Sequence, residues 1–151
     1  MASEKPIIDQ ILQQKHVAVA GVSRNKSKFG YIVFDHLKKS GYTVYPINPN
    51  VDEIADTRCY RDISSLPDTV TALVTVTKPE VTESLVKEAG AKGIGLVWMQ
   101  QGSQNEAALK AAEEAGISVV QKRCIMMFAE PVKSVHGFHR AILKFFGKYP
   151  K

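Results

Sequence analysis

Three features of this sequence predict an α/β fold on a parallel sheet. They are five short apolar runs, amphipathic stretches of about ten residues between them, and glycine or proline at most of the junctions. The runs fall at 17–20, 43–47, 72–76, 94–98 and 117–120 and are rich in Val, Ile and Ala. Near-continuous apolar runs of this length are what strands covered on both faces require.

The elements follow in order. Ile7, Ile8, Ile11 and Leu12 give residues 6–14 one apolar edge, so a short helix precedes the first strand. Gly21 ends strand one, and a polar loop leads to a helix over 31–39 that turns Ile32, Val33 and Leu37 to a core, with Gly41 as its stop. Strand two ends in the turn Asn48-Pro49-Asn50, and 51–67 reads as a loop with a helical turn at 63–66. After strand three, Thr77-Lys78-Pro79-Glu80 opens a helix to about Ala89, with proline in the first turn and an acid favouring the dipole; Gly90 closes it. Strand four leads through Gly102 into an Ala-rich helix at 104–115, and Gly116 precedes strand five. Right-handed crossovers then predict a Rossmann-like doubly wound sheet of order 3-2-1-4-5 with helices on both faces. In a terminal helix over about 128–148, Val135, Phe138, Ile142, Leu143, Phe145 and Phe146 share one side, and Lys133, His136, Arg140 and Lys144 the other. A cover packed on the sheet is the expected role of that amphipathic helix.

The chain of 151 residues is expected to be a single domain, 1–151, with its core at about 11–124. Its net charge of +5 resides in the tail: no acid follows Glu130, whereas Lys133, Arg140, Lys144, Lys148 and Lys151 do. A basic face for nucleic acid is therefore not expected. No run approaches the ~18 apolar residues of a membrane span, and the first ten residues lack the apolar core of a secretory signal. Two cysteines, Cys59 and Cys124, do not form a disulfide framework. A cytoplasmic protein is the simplest expectation. The oligomeric state stays open, a homodimer included.

In open α/β sheets a ligand sits outside the carboxyl ends of the strands, where the strand order reverses. That rule draws together residues 21–30, Asn48 and Pro49, residues 76–79 and residues 98–102. In the first group, Gly21, Val22 and Ser23 form the turn, Arg24, Lys26 and Lys28 add three positive charges, and Phe29 and Gly30 lead into the helix. Free backbone N–H groups at such a helix start suit a phosphate, although a charged loop is as often merely solvated. In the other groups the candidates are Val76, Thr77, Lys78 and Pro79 after strand three, and Trp98, Gln100 and Gly102 after strand four. Trp98 serves equally as core or as ligand wall, and Gln100 as ligand contact or helix cap.

A simple dinucleotide fits poorly. The loop has no G-x-G-x-x-G, and Asn48-Pro49 stands where a carboxylate would take ribose hydroxyls. A ligand whose ribose is itself phosphorylated, NADP or coenzyme A, would instead favour nearby cations.

Four segments carry a resemblance: Gly21-Val22-Ser23; the run from Gly41-Tyr42 through Asn48-Pro49; Val97-Trp98-Met99-Gln100-Gln101-Gly102; and Val120-Gln121-Lys122-Arg123-Cys124. Together they resemble the small single-domain CoA-binding protein family, itself similar to the CoA-binding N-terminal domain of the succinyl-CoA synthetase α subunit. The resemblance spans roughly residues 11–124. It implies a Rossmann-like fold and coenzyme A, or an acyl-CoA, held by the first loop, Asn48-Pro49 and the segment after strand three. The sequence departs from the family at Thr57-Arg58, where glycine is frequent, and at Val76-Thr77, where an aromatic residue is.

Catalysis is not expected from these residues. His16, His36, His136 and His139 have no metal-ligand spacing, and no nucleophile and base are paired. Cys124, beside Lys122 and Arg123, is read as a buried, inert cysteine rather than one that forms a mixed disulfide with CoA. The leading expectation is a non-catalytic carrier or sensor of CoA or acyl-CoA. An NADP-dependent oxidoreductase and an interaction module using the basic terminal helix are the alternatives.

Overall fold

The computed structural model describes residues 5–129. The elements run α1 (Lys5–Leu12), β1 (His16–Ala20), α2 (Phe29–Lys39), β2 (Thr43–Ile47), β3 (Glu53–Ile54), β4 (Thr57–Arg58), β5 (Ala72–Thr75), α3 (Pro79–Lys92), β6 (Leu96–Gln100), α4 (Glu106–Ala115) and β7 (Ser118–Arg123), with a 3-10 turn at Ile125–Met127. The terminal helix expected at about 128–148 lies outside the described residues.

β2, β1, β5, β6 and β7 form one parallel five-stranded sheet in that order, and β3 and β4 pair as a separate antiparallel hairpin. The expected α/β, doubly wound, Rossmann-like class is what the chain adopts. The expected strand order is not. Numbered by the five main strands, the sheet reads 2-1-3-4-5 instead of 3-2-1-4-5.

Pro46 supplies the physical reason. Gly21 N–H donates to the Ile47 carbonyl, so Ile47 faces β1 and Pro46 faces outward. A proline in that register has no N–H for a further strand, which confines it to an edge. The outer edge of β2 receives only a short parallel bridge: Tyr60 N–H donates to the Pro46 carbonyl and the Tyr60 carbonyl accepts from Asn48 N–H, both at 2.8 Å. The third main strand therefore joins the other side of β1, and the order reverses between β1 and β5.

Alternate residues of the central strands feed two cores. Val17, Val19, Val74, Trp98 and Val120 meet α1, α2 and Ile125, whereas Ala18, Ala20, Leu73, Val97 and Met99 meet α3 and α4. Several boundaries differ from the sequence reading. α3 passes through Gly90 and ends at Gly93, in the left-handed region at φ 90°. A Cβ on Gly90 would meet the Cβ of Ala115 at 2.9 Å, so the glycine at that position lets α3 lie close to α4. β7 extends to Arg123, past the expected end at Val120. The hairpin β3–β4 replaces part of the expected loop, and 63–66 forms a turn without a helix.

Two groups, the half-buried Tyr42 and the buried Cys59, couple this fold to pH. The Tyr42 hydroxyl donates to the Leu12 carbonyl at 2.7 Å, and burial pushes its pKa up. Burial likewise raises the Cys59 thiol, despite its contacts to the Asn48 and Tyr60 carbonyls. With folded values above unfolded ones, both contributions are full below the unfolded pKa values and are lost as pH rises through the folded ones. Denaturant midpoints should therefore fall on the alkaline side of neutrality. Tyr42→Phe should cost about 1 kcal/mol at neutral pH and show a shallower alkaline decline than the wild type.

Candidate functional site

The reversal between β1 and β5 opens a crevice of about 340 Å³ at the carboxyl edge of the sheet. Residues 20–23 after β1, residues 47–49 after β2, and Thr77 after β5 form its floor and sides. Arg61 and Asp62 stand at the rim by β2, and Val81, Leu85 and Glu88 of α3 line the opposite wall. The surface is mostly apolar, and among the described residues its charged groups are Arg61, Asp62 and Glu88.

Backbone packing beneath the first loop is close enough to fix residue identity. Gly21 has φ +97°, and a Cβ there would fall onto the Val76 carbonyl. Gly30, in the first turn of α2, lies against the carbonyl of Gly21 with no room for a Cβ. The two residues therefore do jobs that a G-x-G-x-x-G loop assigns to its first and last glycines, the tight turn and close helix-to-strand packing. Eight residues separate them, so the loop between is longer.

That loop is internally bonded. Ser23 Oγ accepts from Asn25 N–H at 3.0 Å, Asn25 Oδ1 accepts from both the amide and the hydroxyl of Ser27, and the Asn25 carbonyl accepts from Lys28 N–H. Asn48 ties the loop to β2: its Nδ2 donates to the Val22 carbonyl at 2.8 Å while its Oδ1 accepts from Asn50 N–H. The Asn48 side chain thus braces the crevice wall.

α2 and α3 start at the two strands that flank the crevice, and neither is capped by a side chain. Their N-cap residues are Lys28 and Lys78. By contrast α4, one strand away, has the Asn105 side chain accepting from Ala108 N–H. Lysine at an N-cap opposes the helix dipole and supplies no side-chain acceptor for the first amides. In α3 the first residue is Pro79, without an N–H, and Val81 N–H already donates to the Lys78 carbonyl at 3.0 Å, so the need for an acceptor is greater at α2. The resulting local potential is positive at both helix starts.

The structure separates the residues that the sequence draws together. Gly21, Val22, Ser23, Asn48, Pro49 and Thr77 line the crevice. Arg24 and Lys26 line a different cavity of about 420 Å³, with Tyr31, Glu53 and Asp56, and Arg24 Nε donates to the Glu53 carbonyl at 3.1 Å. Lys28, Phe29 and Lys78 are exposed, Gly30 is buried, and Val76 and Pro79 are half-buried. Trp98 and Gln100 are buried in the core, away from the crevice lining. Trp98 Nε1 donates to the Arg123 carbonyl at 2.9 Å, and Gln100 donates to Cys124 Sγ and accepts from Ile125 N–H. These bonds fasten β6 to the segment after β7. Gly102 is exposed in the turn after β6, at φ +97°. Cys124 is half-buried, not enclosed as the sequence reading has it.

Arg61, Asp62 and Glu88 escape the sequence reading. Asp62 Oδ1 accepts from the Ser64 hydroxyl and Ser65 N–H, and these bonds hold its carboxyl below the usual range. The pattern D-x-S-S after a strand-like residue is a turn signal, but it carries no ligand signature. His16 bonds the Tyr45 hydroxyl and His36 the Ala129 carbonyl, and neither lines the crevice. Among the described residues no group of three potential metal ligands is present, and no helix is long and apolar enough to cross a membrane. The arrangement is suited to holding an anion beside an apolar group.

Comparison with known proteins points the same way. Residues 15–130 match the CoA binding domain. The chain is 28% identical over 149 residues to an ADP-forming acetate–CoA ligase II of Archaeoglobus fulgidus, covering 96% of this chain and 22% of that protein. It is also 28% identical over 130 residues to the α subunit of an ADP-forming acetate–CoA ligase II of Pyrococcus furiosus, covering 79% and 28%. The chain thus spans about a quarter of the length of these curated relatives. Among solved structures, a hypothetical protein from Pyrococcus horikoshii matches with a TM-score of 0.77 and 33% identity, covering 83% of this chain and 88% of that one. An apo dinucleotide-forming acetyl-coenzyme A synthetase of Ca. Korarchaeum cryptofilum matches with a TM-score of 0.64 and 25% identity over 75% of this chain and 27% of that one.

Two substitutions separate scaffold from site. Gly30→Ala should cost about 1–3 kcal/mol by overpacking, read as a lowered denaturation midpoint. Gln100→Leu leaves the buried Ile125 amide without its acceptor and should cost about 1–3 kcal/mol, while ligand affinity, measured by calorimetry on the folded variant, stays unchanged.

Proposed function

This chain belongs to the CoA binding domain family, and we propose that its crevice holds coenzyme A or an acyl-CoA without itself catalysing a reaction. The observation that carries the reading is the pair of uncapped helix starts, each with lysine at the N-cap, at the two strands where the sheet order reverses. A diphosphate supplies an acceptor for the first amides of α2 and the negative charge that both lysines favour. The apolar crevice between Val22, Pro49 and Leu85 suits the adenine ring of such a ligand.

The chemistry available supports holding rather than converting. Ser23 is the hydroxyl at the turn, and among the described residues no histidine lines the crevice to serve as its base. Carriage or sensing of the ligand is then the role, and the acid–CoA ligase chemistry named in the longer relatives belongs, for this chain, to whatever else acts with it.

Calorimetric titration with CoA in low-phosphate buffer tests the reading. Micromolar binding, about −8 kcal/mol, is the expected result. Lys28→Ala and Lys78→Ala should each weaken it by about two- to fivefold. Binding of NADP with no heat from CoA would overturn it.

A further inference from the structure

The family reading says that a CoA is held but does not say what distinguishes its phosphorylated ribose from an ordinary one. Resting on the reading above, the geometry points to Arg61 as the residue that recognises the ribose 3′-phosphate. In doubly wound sheets the adenosine ribose sits against the carboxyl end of the second strand, where NAD-binding domains keep a carboxylate and NADP-binding ones an arginine nearby. Here that end is Asn48-Pro49, and among the described residues Arg61 is the one basic residue lining the crevice.

Arg61 is brought there by main-chain bonds. Tyr60 is fixed to β2 through its amide on the Pro46 carbonyl and its carbonyl on the Asn48 amide, so the next residue necessarily emerges beside Asn48 and Pro49. On its other side, the turn closed by Asp62 Oδ1 on Ser64 and Ser65 anchors the segment. The guanidinium itself is only loosely engaged. Its nearest carboxylate, Asp52, lies at 3.9 Å, and both side chains are more than 70% exposed. Such a pair contributes little, and a phosphate can take its place with two parallel N–H···O bonds.

The cations that the sequence singles out are less well sited. Arg24 is bonded to the Glu53 carbonyl and, with Lys26, faces the cavity by the β3–β4 hairpin, where Glu53 and Asp56 would oppose a phosphate. At the crevice rim the competing carboxylates are Asp62, whose Oδ1 already accepts two bonds, and Glu88 across the cleft.

Calorimetry with CoA and 3′-dephospho-CoA on the wild-type chain, Arg61→Ala and Arg24→Ala tests this. The wild type should prefer CoA by about tenfold or more, as expected for hydrogen bonds to a charged group. Arg61→Ala should bring the ratio of the two affinities close to one by weakening CoA alone, and Arg24→Ala should leave the ratio as in the wild type. A wild type without preference, or an Arg61→Ala variant that keeps the preference, overturns the assignment while CoA binding stands. Failure of the wild type to bind either compound overturns both this assignment and the function proposed above.

Discussion

Everything at the carboxyl edge of this sheet depends on three stretches of backbone approaching too closely for a side chain to intervene. The Gly21 turn rests on the Val76 carbonyl, and the first turn of α2 rests through Gly30 on the Gly21 carbonyl. A methyl group at either position would push α2 or β5 away from β1. The direction of α2, the path of the loop above it, and the width of the crevice follow from that contact.

Helix stability and anion binding ask for opposite things of an N-cap residue. α4, away from the crevice, has the asparagine cap that helix formation favours. α2 and α3 have lysine there and no side-chain acceptor. A sequence that obeys local rules at one helix and breaks them at the two that follow the strands of the order reversal shows the pattern expected where function competes with folding. The loop between the glycines is prepared in the opposite sense: Ser23, Asn25 and Asn48 satisfy its polar groups and hold its shape.

The βα rhythm was legible because its periodicity and its glycine stops are local. What escaped depends on non-local pairing. The strand order turned on the side to which Pro46 points, information present in the sequence but meaningful only once Ile47 is known to face β1. The two-residue strands of the β3–β4 hairpin are too short for any period, and both turn residues, Ala55 and Asp56, have positive φ without a glycine to announce it. Trp98 and Gln100 were drawn toward the ligand because they follow a buried strand. A bulge between Met99 and Gln100 and the extension of β7 give them partners in the scaffold instead. Arg61 carries no local signal, because its place at the crevice comes from the bridge between Tyr60 and Ile47, far along the chain from the glycine loop.

Pro46 has a further effect, on how copies of this chain meet. An open edge of a parallel sheet is a template on which a foreign strand can grow, and proteins commonly blunt it. The exposed side of β2 offers no donor at Pro46, and Tyr60 already occupies the Pro46 carbonyl and the Asn48 amide. The same residue that fixes the topology thus guards the sheet against edge-to-edge aggregation, so replacing it with a strand-forming residue would expose a solubility hazard even where the fold survived.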